Sequence, residues 1–450
     1  MENILNLNQS ILLTIKRIGI NGEGIGYFKR QAVFVKGALP GEVVEVKITA
    51  IEEKYAIGEV TKMKEKSPER VDPQCPYYGK CGGCHLQHLS YEGQCRIKKD
   101  MVYEAFERYF EGNLDKIKFY DTLGMDHPWH YRNKSSLPTR HSGTNVVVGM
   151  YQESSNHLIF IDQCLVENEL IYQTRKDILT ILDQESISVY NPKTKIGSLR
   201  NIVIRAFEDT KEVQVTFVLT REDVKLIQVL KKLKVTSANY SINADPKTVD
   251  IFGPQVIHVA GSKTIKGNLS ELSFAISPQA FFQLNSLQTL VLYDEILKAC
   301  RLNGTEKVLD CYCGIGSIGM SLASHVAEVR GIDTNKEGIA DANQFAQLNG
   351  IENAKFYHGN ILPHLHQFEQ EDFIPDVLVV DPPRKGMDLN LIHYIQEKKI
   401  KRIVYVSCNP ATLAKNLNHL QKEYSVKFVK PIDMFPQTAN VEAVCLIERR

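Results

Sequence analysis

Val308-Leu309-Asp310-Cys311-Tyr312-Cys313-Gly314-Ile315-Gly316-Ser317-Ile318-Gly319 is an apolar run that breaks into a GxGxxG turn. Glycines so spaced let the backbone turn tightly between a strand and a helix and approach a ligand closely. Downstream, the pattern of strand, turn and helix repeats, with apolar runs at 328–333, 354–360, 376–381 and 402–408. Helical segments between them imply right-handed crossovers and a doubly wound parallel sheet. Two further runs, 426–435 and 442–448, have no helix between them, which predicts a hairpin at the sheet's edge. Asp333 closes the second strand nineteen residues after Gly314, where it suits ribose hydroxyls. Alone, the turn fits a dinucleotide as well as S-adenosylmethionine, or simple tight packing between strand and helix.

The flanking sequence differs in kind. Residues 8–66 alternate short β-rich runs with glycine turns at Gly22, Gly24, Gly26, Gly37 and Gly41, which reads as a small OB-like β-barrel. A Pro- and Cys-rich stretch, 72–90, interrupts that pattern, and a helical period follows over 91–110. Residues 120–270 mix β-like runs with polar turns and read as α+β of undetermined topology. The chain is thus expected to divide into a barrel (1–68), a central domain (69–272) and an α/β domain (273–450), with the helical stretch 91–118 packing either centrally or on the α/β domain.

Bulk properties set limits. At 450 residues, 43% hydrophobic and 24% charged, the chain can bury a real core. It has no 18-residue apolar stretch and no basic-then-apolar N-terminus, so a cytoplasmic protein without a membrane partner is expected, monomeric by default. Ten cysteines in such a chain point to metal binding or chemistry rather than disulfides. A net charge of +1 leaves no global footprint for nucleic acid, so any RNA surface must be local. Candidates are residues 193–234, where ten Lys/Arg stand against five Asp/Glu, the barrel, and Trp129-His130-Tyr131-Arg132-Asn133-Lys134, which interleaves aromatic and basic side chains.

Two more motifs carry chemistry. Asp381-Pro382-Pro383-Arg384 closes one apolar run, Ser407-Cys408-Asn409-Pro410 closes another, and Val441-Glu442-Ala443 follows. The pattern brings a thiol and two carboxylates to neighbouring strand ends, where open α/β sheets bind ligands. A thiolate facing a carboxylate base is what methylation of a pyrimidine at carbon 5 requires, because that carbon is too poor a nucleophile until a thiolate adds at carbon 6. Cys408 is the candidate nucleophile, and a helix start at Pro410 is expected to lower its pKa. Glu442 is the candidate base. The bland alternatives are a packed cysteine and an ordinary charged residue at a strand start. Cys75, Cys81 and Cys84 form a further cluster whose spacing suits either structural zinc or an iron–sulfur group.

Asp381-Pro382-Pro383-Arg384-Lys385-Gly386, Val406-Ser407-Cys408-Asn409-Pro410 and Asp433-Met434-Phe435-Pro436-Gln437-Thr438 with Val441-Glu442 resemble the motifs of the RNA uracil-5-methyltransferases. The barrel is similar to a TRAM domain, and Cys75-Pro76-Tyr77-Tyr78-Gly79-Lys80-Cys81-Gly82-Gly83-Cys84 is similar to the family's iron–sulfur segment. The resemblance implies a Rossmann-like, S-adenosylmethionine-dependent methyltransferase domain, and it places cofactor contacts at Gln283, Tyr312, Asp333 and Asp381. Asp333 stands where many relatives carry glutamate. The resemblance makes Cys164 the fourth ligand of a [4Fe–4S] cluster with Cys75, Cys81 and Cys84, zinc being the alternative. The barrel with its cluster resembles the branch that modifies 23S ribosomal RNA and implies 5-methyluridine formation on a flipped base of that partner. The same chemistry on transfer RNA, or a non-catalytic RNA-binding or iron-sensing protein on a degenerate methylase fold, stay open as alternatives.

Overall fold

The run at Val308 is a central strand of an eight-stranded sheet in a computed structural model, which describes residues 4–245, 248 and 250–450. Strand Lys307–Cys311 lies parallel between Glu328–Asp333 and Val377–Val380, with Ala354–His358 beyond the former and Arg402–Ser407 beyond the latter. Each crossover passes through a helix, and the sheet is the expected doubly wound α/β architecture. Both faces are covered, so the strands read as unbroken apolar runs rather than alternating ones. Val377 and Val379 pack into one core with helices Ser286–Cys300 and Lys336–Leu348. Leu378 and Val380 pack into the opposite core with helices Leu389–Lys398 and Pro410–Leu420. All four side chains of that strand are buried, and each stabilises the fold by roughly 1.5–3 kcal/mol.

The C-terminal strands Tyr424–Ile432 and Glu442–Arg449 form the expected antiparallel hairpin, one strand in from the very edge of the sheet. Strand Glu442–Arg449 inserts antiparallel between Arg402–Ser407 and Tyr424–Ile432. The edge itself is the two-residue strand Lys118–Phe119, paired with Phe428 and Val429. Helix Tyr91–Tyr109 begins at Ser90, whose hydroxyl accepts the Gly93 N–H, and its Val102 and Phe106 pack against Leu413 and Leu417 of helix 410–420.

At the N-terminus, strands Ser10–Ile18, Gly24–Phe28, Gln31–Val35, Val43–Ile51 and Tyr55–Glu65 close into a barrel. Gly22, Gly37 and Gly41 take positive φ in turns, as expected. Gly24 and Gly26 instead lie inside a strand, where a Cβ would meet the Ala38 carbonyl oxygen at 2.5 Å and the Leu13 side chain at 2.6 Å. They serve close backbone approach, not turning. Between barrel and α/β sheet, a seven-stranded mixed sheet carries helices Glu169–Gln184 and Val224–Lys232. Among the described residues no helix is long and apolar enough to cross a membrane.

Candidate active site

The site sits on the carboxyl edge of the parallel strands. After Cys311 the chain enters the glycine turn with Tyr312, Gly314 and Gly316 at φ of 65°, 56° and 72°. A Cβ at Gly316 would meet the Phe356 ring at 2.5 Å, so both backbone conformation and space demand glycine there. Asp310 anchors the turn by accepting the Gly319 N–H at 2.9 Å. Asp333, ending the next strand, accepts the Gly314 N–H at 3.0 Å and the Asn335 N–H at 2.8 Å, which fixes its carboxylate beside the turn.

Two strands along, Asp381 and Cys408 follow strand ends. Glu442 reaches the same place from the other direction: its strand is antiparallel, and the pairing of Ala443 with Ser407 puts its first residue beside Cys408. Asn409 caps helix 410–420 by accepting the Thr412 N–H, and Pro410 supplies the first helical residue without an N–H to satisfy. The preceding cysteine is thereby held at the strand–helix junction. Gln283, Tyr312, Asp333, Asp381, Cys408 and Glu442, the six residues selected from sequence, all line one cavity of about 1240 Å³.

Its electrostatics depart from expectation at the thiol. Burial, followed by the nearby Glu442 and Asp381, pushes the Cys408 thiol up to about 11, against a smaller opposing effect of Arg384. The helix start therefore does not leave a thiolate at rest: desolvation and two acidic neighbours outweigh it. Burial raises Asp381 to about 7. Glu442 is raised well above the usual carboxylate range by burial and then by Asp381, with Arg384 opposing. Two acids and a thiol crowded into one wall repel one another's charges, so the site favours protons until a cation enters.

Sequence reasoning missed what lies behind the thiol. Cys408 is also in the wall of a second cavity, of about 330 Å³, formed by the barrel (Arg17, Phe34), helix 91–109 (Arg108, Tyr109) and Arg384. These residues come from three distant segments, and no local pattern announces the arrangement. The Trp129–Lys134 segment is less open than its composition suggested. Tyr131 is buried with its hydroxyl donating to the Pro436 carbonyl at 3.0 Å, and buried Asn133 donates to the Gln283 carbonyl at 2.9 Å. Both brace loops of the main cavity.

Cys75, Cys81, Cys84 and Cys164 are brought together, lining a third cavity of about 120 Å³. Burial, with a smaller push from the Cys81 and Cys75 thiols, raises Cys84 to about 11, and burial raises Cys164 to about 12. Four thiols in one small, largely buried chamber are the donor set of a Cys₄ site. Among the described residues, however, no three His, Cys, Asp or Glu are arranged to hold a single metal ion. The chamber fits a four-thiolate group by donor identity, not by closure around one ion.

Comparison with known proteins bears on this geometry. Residues 262–450 match the family described as tRNA (Uracil-5-)-methyltransferase, and residues 6–61 match the TRAM domain. A protein of Bacillus cereus described as an uncharacterized RNA methyltransferase is 44% identical over 100% of this chain and 99% of its own length. A Bacillus anthracis protein of the same description is 45% identical over 98% and 97%. The crystal structure of Pyrococcus abyssi tRNA (uracil-54, C5)-methyltransferase in complex with S-adenosyl-L-homocysteine is similar at a TM-score of 0.76 and 26% identity, over 97% of this chain and 100% of that one.

Proposed function

Because the chain belongs to the S-adenosylmethionine-dependent RNA uracil-5-methyltransferase family, we propose that it methylates carbon 5 of a uridine in 23S ribosomal RNA through a covalent bond between Cys408 and the base. The observation that carries this is the convergence of Cys408, Glu442 and Asp381 on the cavity that also holds the glycine turn, Gln283, Tyr312 and Asp333. The glycine turn, Asp333 and Gln283 hold the methyl donor. The uridine, unstacked from its RNA, reaches Cys408 from the second cavity, whose Arg17, Arg108 and Arg384 suit phosphates and whose Phe34 and Tyr109 suit bases.

Cys408 loses its proton to solvent and bonds to carbon 6, and the electron density driven onto carbon 5 attacks the sulfonium's methyl carbon, forming the carbon–carbon bond as S-adenosylhomocysteine leaves. Glu442 then removes the hydrogen on carbon 5 as a proton, the double bond reforms, and the sulfur leaves. The raised pKa values of Asp381 and Glu442 fit a donor that is a cation. A sulfonium entering beside Asp381 and Glu442 favours their ionised forms, so donor binding releases protons wherever those acids are protonated beforehand. With Asp381 at about 7, affinity for S-adenosylmethionine is expected to rise with pH, about tenfold between roughly pH 6 and pH 8. S-adenosylhomocysteine, which lacks the positive charge, should bind almost independently of pH. Calorimetry at several pH values checks this, and parallel slopes for the two ligands would contradict it.

Cys75, Cys81, Cys84 and Cys164 are the residues that would hold a [4Fe–4S] cluster, tying segment 75–84 to Cys164. Methyl transfer asks no electron of it. Protein purified without oxygen is expected to carry about four irons per chain with broad visible absorbance, and Cys81→Ser to lose both. Stoichiometric zinc without that absorbance would refute the assignment.

The choice of ribosomal RNA rests on the barrel combined with the four-cysteine chamber. The same chemistry on transfer RNA is the second reading, favoured by the full-length likeness to the Pyrococcus abyssi enzyme. Incubating the protein with labelled methyl donor and, separately, unmodified 23S ribosomal RNA and transfer RNA decides between them. Label in 5-methyluridine of ribosomal RNA alone is expected, and label only in transfer RNA would reverse the choice.

A further inference from the structure

Helix 91–109 presents a buried polar stripe where an apolar one is usual. Tyr91, Gln94 and Lys98, spaced to share one face, all bond to residues 433–438, the irregular loop that leads into Glu442. Lys98 Nζ lies 2.5 Å from Asp433 Oδ1, with both side chains 0% exposed, and also donates to the Phe435 carbonyl at 3.1 Å. Tyr91 Oη donates to the other Asp433 oxygen at 3.1 Å, and Asp433 Oδ1 accepts the Phe435 N–H at 3.2 Å. One turn earlier, Gln94 exchanges two bonds with Gln437, at 3.0 and 2.9 Å, where the backbone sits at φ 71°. Phe435 and Glu442 are both in the wall of the main cavity.

Stability alone does not account for this arrangement. Desolvating an ammonium and a carboxylate completely costs at least as much as their attraction returns, and an apolar pair of the same volume would hold helix to loop as well. What the polar network adds is geometry: in a loop with no ladder of its own, helix 91–109 fixes the Phe435 carbonyl and the Gln437 N–H, while Tyr131 and Asn285 hold the Pro436 and Met434 carbonyls. We propose that Lys98 is a positioning residue for proton removal, acting through Asp433 and Phe435 to hold the loop that aims Glu442 at carbon 5.

This rests on the covalent reading above, and it gives a consequence that a structural role does not. When Glu442 is misaimed, Cys408 still bonds to carbon 6 and carbon 5 still takes the methyl group. The carbon 5 proton then stays, the sulfur cannot leave, and methylated RNA remains attached to protein. Lys98→Met, which keeps the stem and removes the charge, is therefore expected to slow turnover on natural uridine RNA on the order of 100-fold. Its affinity for S-adenosylmethionine should stay within about twofold, and methyl label should build up in a denaturant-stable protein–RNA adduct. Lys98→Met leaves Asp433 unpaired, so Lys98→Met/Asp433→Asn is run beside it as the variant with no buried charge. Labelled adduct above the wild-type level in a folded variant supports the proposal. Wild-type turnover in the double variant, or slowed turnover without adduct in either, overturns it. A 5-fluorouridine RNA run on the wild type separates the two claims: no adduct there means the covalent reading itself has failed.

Discussion

Cys408→Ala is expected to abolish methyl transfer, lowering the rate by about 10⁴-fold or more while the protein folds and binds S-adenosylmethionine as before. The size follows from the chemistry. Without addition at carbon 6, carbon 5 of uracil lacks the electron density to attack a sulfonium, and the other thiol in the cavity wall, Cys313, is buried in the glycine turn, where burial raises its pKa well above the usual thiol range. Fold and cofactor affinity should survive because the thiol is only partly buried and follows a strand two places along the sheet from the one that leads into the glycine turn. Its high pKa matters here: a thiol at about 11 is almost wholly protonated at neutral pH. Steady-state kinetics with labelled donor checks the prediction, and residual activity within tenfold of wild type would mean another group begins the reaction. A protein that merely bound RNA would be indifferent to the change.

Glu442→Gln acts on a different step, so it should fail differently. Addition and methyl transfer do not need the carboxylate, but removal of the carbon 5 proton does, and loss of a general base costs roughly 10²–10⁴-fold. Turnover should fall by that factor while natural uridine RNA accumulates on the protein, already methylated. Glutamine keeps the shape and ends the repulsion with Asp381, so stability should hold or rise. Denaturing electrophoresis after a single turnover reads the adduct directly. Slow turnover without adduct would move Glu442 to an earlier step.

The parallel sheet was legible because strands covered on both faces write themselves as apolar runs, as at Val377–Val380, and because glycine turns punctuate them. The grouping of Asp381, Cys408 and Glu442 was legible for a related reason, since loops at strand ends carry function and each flanks such a run, whereas Gln283 and Tyr312 came only from the family resemblance. Other features depended on contacts between distant segments. Gly24 and Gly26 look like turn residues until the Ala38 carbonyl and Leu13 side chain are seen to need the space of a Cβ. The Cys408 thiol was misjudged from its local helix, since the opposing effects are burial and then Glu442 and Asp381, which come from other strand ends. Lys98 and Asp433 stand 335 residues apart, and neither has a neighbour in sequence that marks it as half of a buried pair.

The covalent bond at Cys408 is the claim from which both failure modes follow. The most direct measurement is to incubate the protein and S-adenosylmethionine with ribosomal RNA carrying 5-fluorouridine, digest the product, and locate the modified peptide by mass spectrometry. Fluorine cannot be removed as a proton, so the account predicts a stable peptide–nucleotide conjugate joined through the sulfur of Cys408 and bearing the transferred methyl group. Methylation of natural RNA with no such conjugate, or a conjugate on any other residue, would contradict it.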